Sequence, residues 1–189
     1  MRILVAYAHY APTLSYYDDW LDAFRACTAA DVTTVDLCAG ETPKRFERRL
    51  VEHDHVILLH STNGDTLTYL TPFAAALKSR RGQLASFVGN EVNLPGSPVA
   101  EKIAFLKDVQ ADWIFTQLPL EAGRWLYAEC VDARVAAIPH ALQPAVFRSQ
   151  LADAERSVDI GVRTARYTAY LGDNERNELI AFFEQPSNT

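Results

Sequence analysis

The sequence predicts an α/β protein built on a doubly wound, mostly parallel Rossmann-like sheet of about six strands, with one further βα unit at the C-terminal end. Two observations predict it. Six short runs rich in β-branched and aromatic residues recur along the first 140 residues, and they are separated mostly by segments of helix length. Strands alternating with helices pair in parallel, because the crossover helix returns the chain to the same end of the sheet.

The first run, "RILVAYA" (2–8), is continuous and apolar, as expected of a strand buried on both faces. "YYDDWLDAFRAC" then sets Trp20, Leu21 and Phe24 on one helical face and Asp18, Asp19, Asp22 and Arg25 largely on the other. Strand signals follow at "DVTTVDL" (31–37), "HVILLH" (55–60), "LASFVGN" (84–90), "DWIFTQ" (112–117) and "RVAAIPH" (134–140). Between them lie helical segments such as "PKRFERRLVEH", "YLTPFAAALKSR" and "LEAGRWLYAEC". This places a Rossmann-like domain over 1–148 and a linker over 149–157, where "RSQLADAERS" breaks the rhythm. A docking βα unit or the start of a second domain then covers 158–189, with strand "VDIGVR" and helix "DNERNELIAFFE". Asp173 or Asn174 is the expected cap of that helix.

Composition narrows the function classes. A 189-residue chain with 49% hydrophobic residues has ample material for one good-sized core. A net charge of −6, with no basic cluster beyond "KSRRG", argues against a nucleic-acid partner, which needs a basic face to neutralise phosphates. No apolar run reaches the roughly 20 residues of a membrane-spanning helix, and "MRILVAYAHY" turns polar too soon for a signal peptide, so a cytoplasmic protein is expected. Cys27, Cys38 and Cys130 are widely spaced and read as reduced thiols. The His53/His55 and Asp18/Asp19 pairs lack metal-ligand spacing, and no metal site is expected.

Ligands of open α/β sheets bind at the carboxyl ends of the strands, and here those ends are consistently polar. Strand one runs into His9, Tyr10, Thr13, Ser15 and Tyr16, and strand three into His60, Ser61, Thr62, Asn63 and Asp65. Strand four runs into Asn90, Glu91 and Asn93, strand five into Thr116 and Gln117, strand six into His140 and Gln143. "STNGDT" (61–66) has the hydroxyls and glycine of a flavodoxin phosphate loop, but it follows the third strand where flavodoxins use the first. Neither G-x-G-x-x-G nor a P-loop motif is present, so Asp36 at the end of strand two lacks the fingerprint that would make it a ribose ligand. Glu121 and Glu129 lie two helical turns apart, and they read as a solvated face with Trp125 and Leu126 packed inward.

"VAAIPHALQPAVFRS" (135–149), followed by "SVDIGVR" (157–163), resembles the exit from the N-terminal domain of GT-B-fold bacterial glycosyltransferases of the family 4-like or spore-maturation-protein-like group. "FVGNE" (87–91) and "DWIFTQLPLEAGRWLY" (112–127) resemble further segments of that class. The resemblance implies an acceptor-binding N-terminal domain of a nucleotide-sugar-dependent glycosyltransferase, of hexosyltransferase type. Tyr10, Ser15, Tyr16, His60, Asn90, Glu91, Gln117 and His140 are then the acceptor-side residues for a sugar or glycoconjugate. Two departures accompany it. "HYAPTLSYY" has no glycine where many members bring donor phosphates against the backbone, and only about one βα unit of a donor-binding domain is present. The chain itself is therefore expected to bind no cofactor and to be weak or inactive alone, the nucleotide sugar being held by a missing C-terminal domain. The alternatives are a flavodoxin-like phosphate or cofactor-binding module and a noncatalytic interaction domain.

Overall fold

A computed structural model describes residues 1–10, 16–92, 98–139, 155, 166 and 175–185, without the side chains of Tyr16 and Tyr17. The chain forms two compact units, Met1–Val146 and Phe147–Thr189. In the first, β1 (Arg2–Tyr7), β2 (Asp31–Asp36), β3 (His55–Leu58), β4 (Gln83–Phe87), β5 (Trp113–Thr116) and β6 (Arg134–Ala137) form one parallel sheet in the order β2-β1-β3-β4-β5-β6. The α/β, doubly wound, Rossmann-like architecture follows from that order. The chain steps one way from β1 to β2 and the other way from β2 onward, so right-handed crossovers put the first helix on one face and the later ones on the other.

The helices are α1 (Tyr16–Arg25), α2 (Pro43–Glu52), α3 (Ala74–Lys78, entered by a 3-10 turn over Thr71–Phe73), α4 (Val99–Asp108) and α5 (Leu120–Leu126). Leu21 is buried on the α1 face with Ile3, Val5, Ile57, Leu59 and Phe87, and Trp20 and Phe24 pack against that cluster. The opposite face holds the larger cluster, with Leu4, Ala6, Val56, Leu58, Leu84 and Ile114 beneath Phe46 and Leu50 of α2, Leu77 of α3 and Phe105 and Leu106 of α4. The central strands are apolar in succession because both of their faces are covered.

Local rules set the individual elements. The Thr42 hydroxyl caps α2 by accepting from the Arg45 amide, and Pro43 sits at its first position, where the missing N–H costs nothing. Phe46 and Leu50, one turn apart, then face the core. Gly82 leads into β4 so close to the chain before β3 that a Cβ there would lie 2.3 Å from the Asp54 carbonyl oxygen. Gly123 lets α5 approach β5, since its Cβ would lie 2.6 Å from Thr116 Cγ2. Trp125 is not packed inward: it is 80% exposed, because the buried positions of α5 and the turn after it are taken by Gly123 and Tyr127.

In the second unit the described helix is α6 (Glu175–Phe183), within the expected helical segment, with Glu175 and Glu178 in its first turn. The proposed strand at 158–163 and the caps Asp173 and Asn174 lie outside the described residues. Among the described residues no helix is long and apolar enough to cross a membrane.

Candidate functional site

The sheet order reverses direction between β1 and β3, and the carboxyl ends at such a switch point are where open α/β sheets bind ligands. Three loops meet there. Tyr10, after β1, donates its hydroxyl to Asp65 Oδ2 at 3.0 Å and stacks on Tyr69, with ring centroids 5.1 Å apart and planes 11° from parallel. Asn90, after β4, donates its side-chain amide to Asp65 Oδ1 at 2.5 Å. Its φ of 46° is left-handed, a conformation asparagine tolerates better than most residues. Asp65 itself is exposed, so a carboxylate oriented by two donors lies at the surface beside a pair of aromatic faces.

Beneath this platform the loops are held by buried polar groups. Asn63 donates to Ser86 Oγ at 3.1 Å and to the Phe87 carbonyl at 3.0 Å, while its own oxygen accepts from the Gly89 amide at 3.2 Å. Lys102 of α4 reaches up between the loops and donates to the carbonyls of Gly64, Gly89 and Asn90 at 2.5, 2.9 and 3.2 Å. Burial lowers the Lys102 pKa, and the carboxylates of Asp65 and Glu91 oppose that shift. Packing at this junction is tight, since a Cβ on Gly89 would come 3.2 Å from both Gly64 Cα and His60 Cβ.

A second cluster lies under β5. Glu91, 4% exposed, accepts from Thr116 Oγ1 at 2.6 Å, from the Tyr127 hydroxyl at 2.6 Å and from the Gln117 amide at 3.0 Å. Burial first, then the Glu91 charge and its hydrogen bond, raise the Tyr127 pKa well above the ordinary phenol value. The Thr116 oxygen also accepts from the Leu118 amide at 3.1 Å, so the hydroxyl joins carboxylate and backbone.

The eight acceptor-side residues read from sequence therefore divide. Tyr10 and Asn90 come together, joined through Asp65. Glu91 lies inside the molecule, linked to the Gln117 backbone while the Gln117 side chain is at the surface. His60 is buried at 2% exposure among the rings of Trp20 and Phe87, with centroids 5.3 and 5.2 Å away. Tyr16 begins α1; its side chain, together with Ser15 and His140, lies outside the described residues.

Asp65, Tyr69 and Lys102 were not among those eight. Asp65 had the usable signal, an acidic residue after a glycine at the end of a central strand. Tyr69, in the same loop as Asp65, and Lys102, on α4, had none, since only the packing of the loops shows that their side chains turn toward the site.

The "STNGDT" hydroxyls are largely committed to the protein. Ser61 Oγ accepts from the Ala8 amide at 3.0 Å, Thr62 Oγ1 donates to the Leu59 carbonyl at 2.8 Å, and Thr66 bonds Thr68. Asp36 likewise accepts from the amides of His9 and Cys38, as a turn-forming aspartate does. Cys27 and Cys38 are exposed free thiols and Cys130 is buried. Among the described residues no group of three His, Cys, Asp or Glu side chains is placed to hold a metal ion. Comparison of the chain with protein-family models, with curated proteins and with solved structures finds no match in any of the three.

Proposed function

We propose that the chain is the acceptor-binding domain of a nucleotide-sugar-dependent glycosyltransferase, taking a sugar or glycoconjugate at the β1/β3 switch point. The observation that carries this reading is the Asp65 carboxylate, oriented by Tyr10 and Asn90 beside the Tyr10–Tyr69 stack. Aromatic faces suit the C–H surfaces of a pyranose ring, and a fixed carboxylate oxygen is a strong acceptor for a sugar hydroxyl. The rigid layer of Asn63 and Lys102 beneath holds the loops in place before ligand arrives, which lowers the ordering cost of binding. A nucleotide sugar held by a separate domain supplies the donor in this reading.

The test is saturation-transfer NMR of the protein with a panel of mono- and disaccharides, with Tyr69→Ala and Asp65→Asn as comparisons. Binding of at least one sugar, weakened about tenfold or more by either substitution, is expected. Absence of any saccharide binding, or binding indifferent to both substitutions, rejects the reading. Robust sugar transfer by this chain alone from a nucleotide sugar would reject the assignment to the acceptor side.

One observation favours a flavodoxin-like cofactor module: β2-β1-β3-β4-β5 is also the flavodoxin strand order, whose ligand sits at the same switch point. Purified protein with flavin absorbance would support that reading, against the inward commitment of Ser61 and Thr62.

A further inference from the structure

We propose that the outer edge of β6, with the adjoining surface of α5, docks an extended acidic segment of a partner polypeptide. β6 is the last strand of the sheet, and among the described residues nothing pairs with its far side. The amides of Arg134 and Ile138 donate to the carbonyls of Asp112 and Thr116 at 2.9 and 2.8 Å. Backbone groups alternate along a strand, so those of Val135 and Ala137 point to the open edge. An open edge is a template for a further strand.

The chemistry around that edge says which strand. A cleft of about 490 Å³ is lined by Trp113, Arg124, Val131, Arg134 and Val135 among others. The Arg134 guanidinium lies over the Trp113 ring at 5.2 Å, and neither Arg134 nor Arg124 has a carboxylate partner among the described residues. Trp125 is 80% exposed and Val131 83% exposed, and tryptophan and arginine are the residue types on which binding energy concentrates. The two guanidinium groups lining the cleft select an acidic segment locally, the strand edge selects an extended one, and Trp125 and Val131 select apolar residues within it. A second copy of this chain fits less well, because it would carry the same arginine pair to both sides of a two-fold axis.

The experiment is fluorescence anisotropy of the full chain with a labelled, end-capped peptide of alternating glutamate and valine, beside its lysine and valine counterpart. The glutamate peptide is expected to bind and the lysine peptide not to. Ala137→Pro removes one outward N–H without touching the β5–β6 ladder, and the pair Arg124→Glu and Arg134→Glu reverses the charge. Each is expected to weaken binding about tenfold or more. Circular dichroism reports whether the proline variant is folded, and Trp125→Ser, at an exposed position, serves the same test without risk to the strand. Equal binding of the lysine peptide, no glutamate-peptide binding, or affinity unmoved by these variants overturns the proposal. So does self-association in sedimentation that Trp125→Ser abolishes, which would assign the surface to a second copy.

Discussion

Glu91 gives the sharpest test of the buried polar layer. Replacing it with alanine leaves the Thr116 hydroxyl, the Tyr127 hydroxyl and the Gln117 amide without their shared acceptor. A hydrogen bond to a charged group contributes about 1.5–3 kcal/mol, but removal of the carboxylate also relieves its own desolvation, so the three do not simply add. A net loss of about 3–5 kcal/mol is expected, equivalent to a fall of roughly 6–20 °C in Tm for a chain of this size. Glu91→Gln keeps the shape and one acceptor oxygen but turns an amide N–H₂ toward a donor, so it should cost less, about 1–2 kcal/mol. Urea unfolding followed by far-ultraviolet circular dichroism measures both. An alanine variant within about 0.5 kcal/mol of wild type would refute the structural role and return Glu91 to the candidate ligand set.

Other outcomes follow from the same contacts. The raised Tyr127 pKa means that the unfolded chain ionises this phenol from about pH 10 while the folded chain keeps it protonated. Its stabilising contribution is therefore complete below pH about 10 and falls as pH rises further, and Tyr127→Phe should lack that fall. The wild-type minus variant difference in urea midpoint isolates it from Lys102, whose lowered pKa gives a slope of opposite sign; a difference independent of pH contradicts the assignment. Lys102→Met strips the donor from three loop carbonyls and should cost about 1–3 kcal/mol. Amide hydrogen exchange at 60–65 and 88–91 should quicken as well, and unchanged exchange there would mean that the loops do not depend on the ammonium. Gly82→Ala drives a Cβ into the Asp54 carbonyl and should lower stability by about 1–3 kcal/mol, whereas a neutral effect on the urea midpoint would place the two segments further apart.

The sheet was legible in the sequence because its central strands are covered on both faces and write themselves as unbroken apolar runs. The amphipathic helices α1 and α2 were legible for a related reason. One covered face imposes helical spacing on Trp20, Leu21 and Phe24, and on Phe46 and Leu50. Polarity at the strand ends was also visible, and it marked the end of the sheet that carries Tyr10 and Asn90.

What tertiary structure alone decided is which polar residues face inward and which face out. Glu91 and His60 look like ligands in one dimension, yet a carboxylate surrounded by three donors and a histidine between Trp20 and Phe87 belong to the interior. Lys102 sits in a helix whose sequence gives no hint that its ammonium reaches carbonyls 12, 13 and 38 residues away. Trp125 was expected inside by its chemistry and lies outside because Gly123 and Tyr127 fill the inward positions. Burial is a property of the assembled neighbourhood, and a residue type alone states only a preference for it.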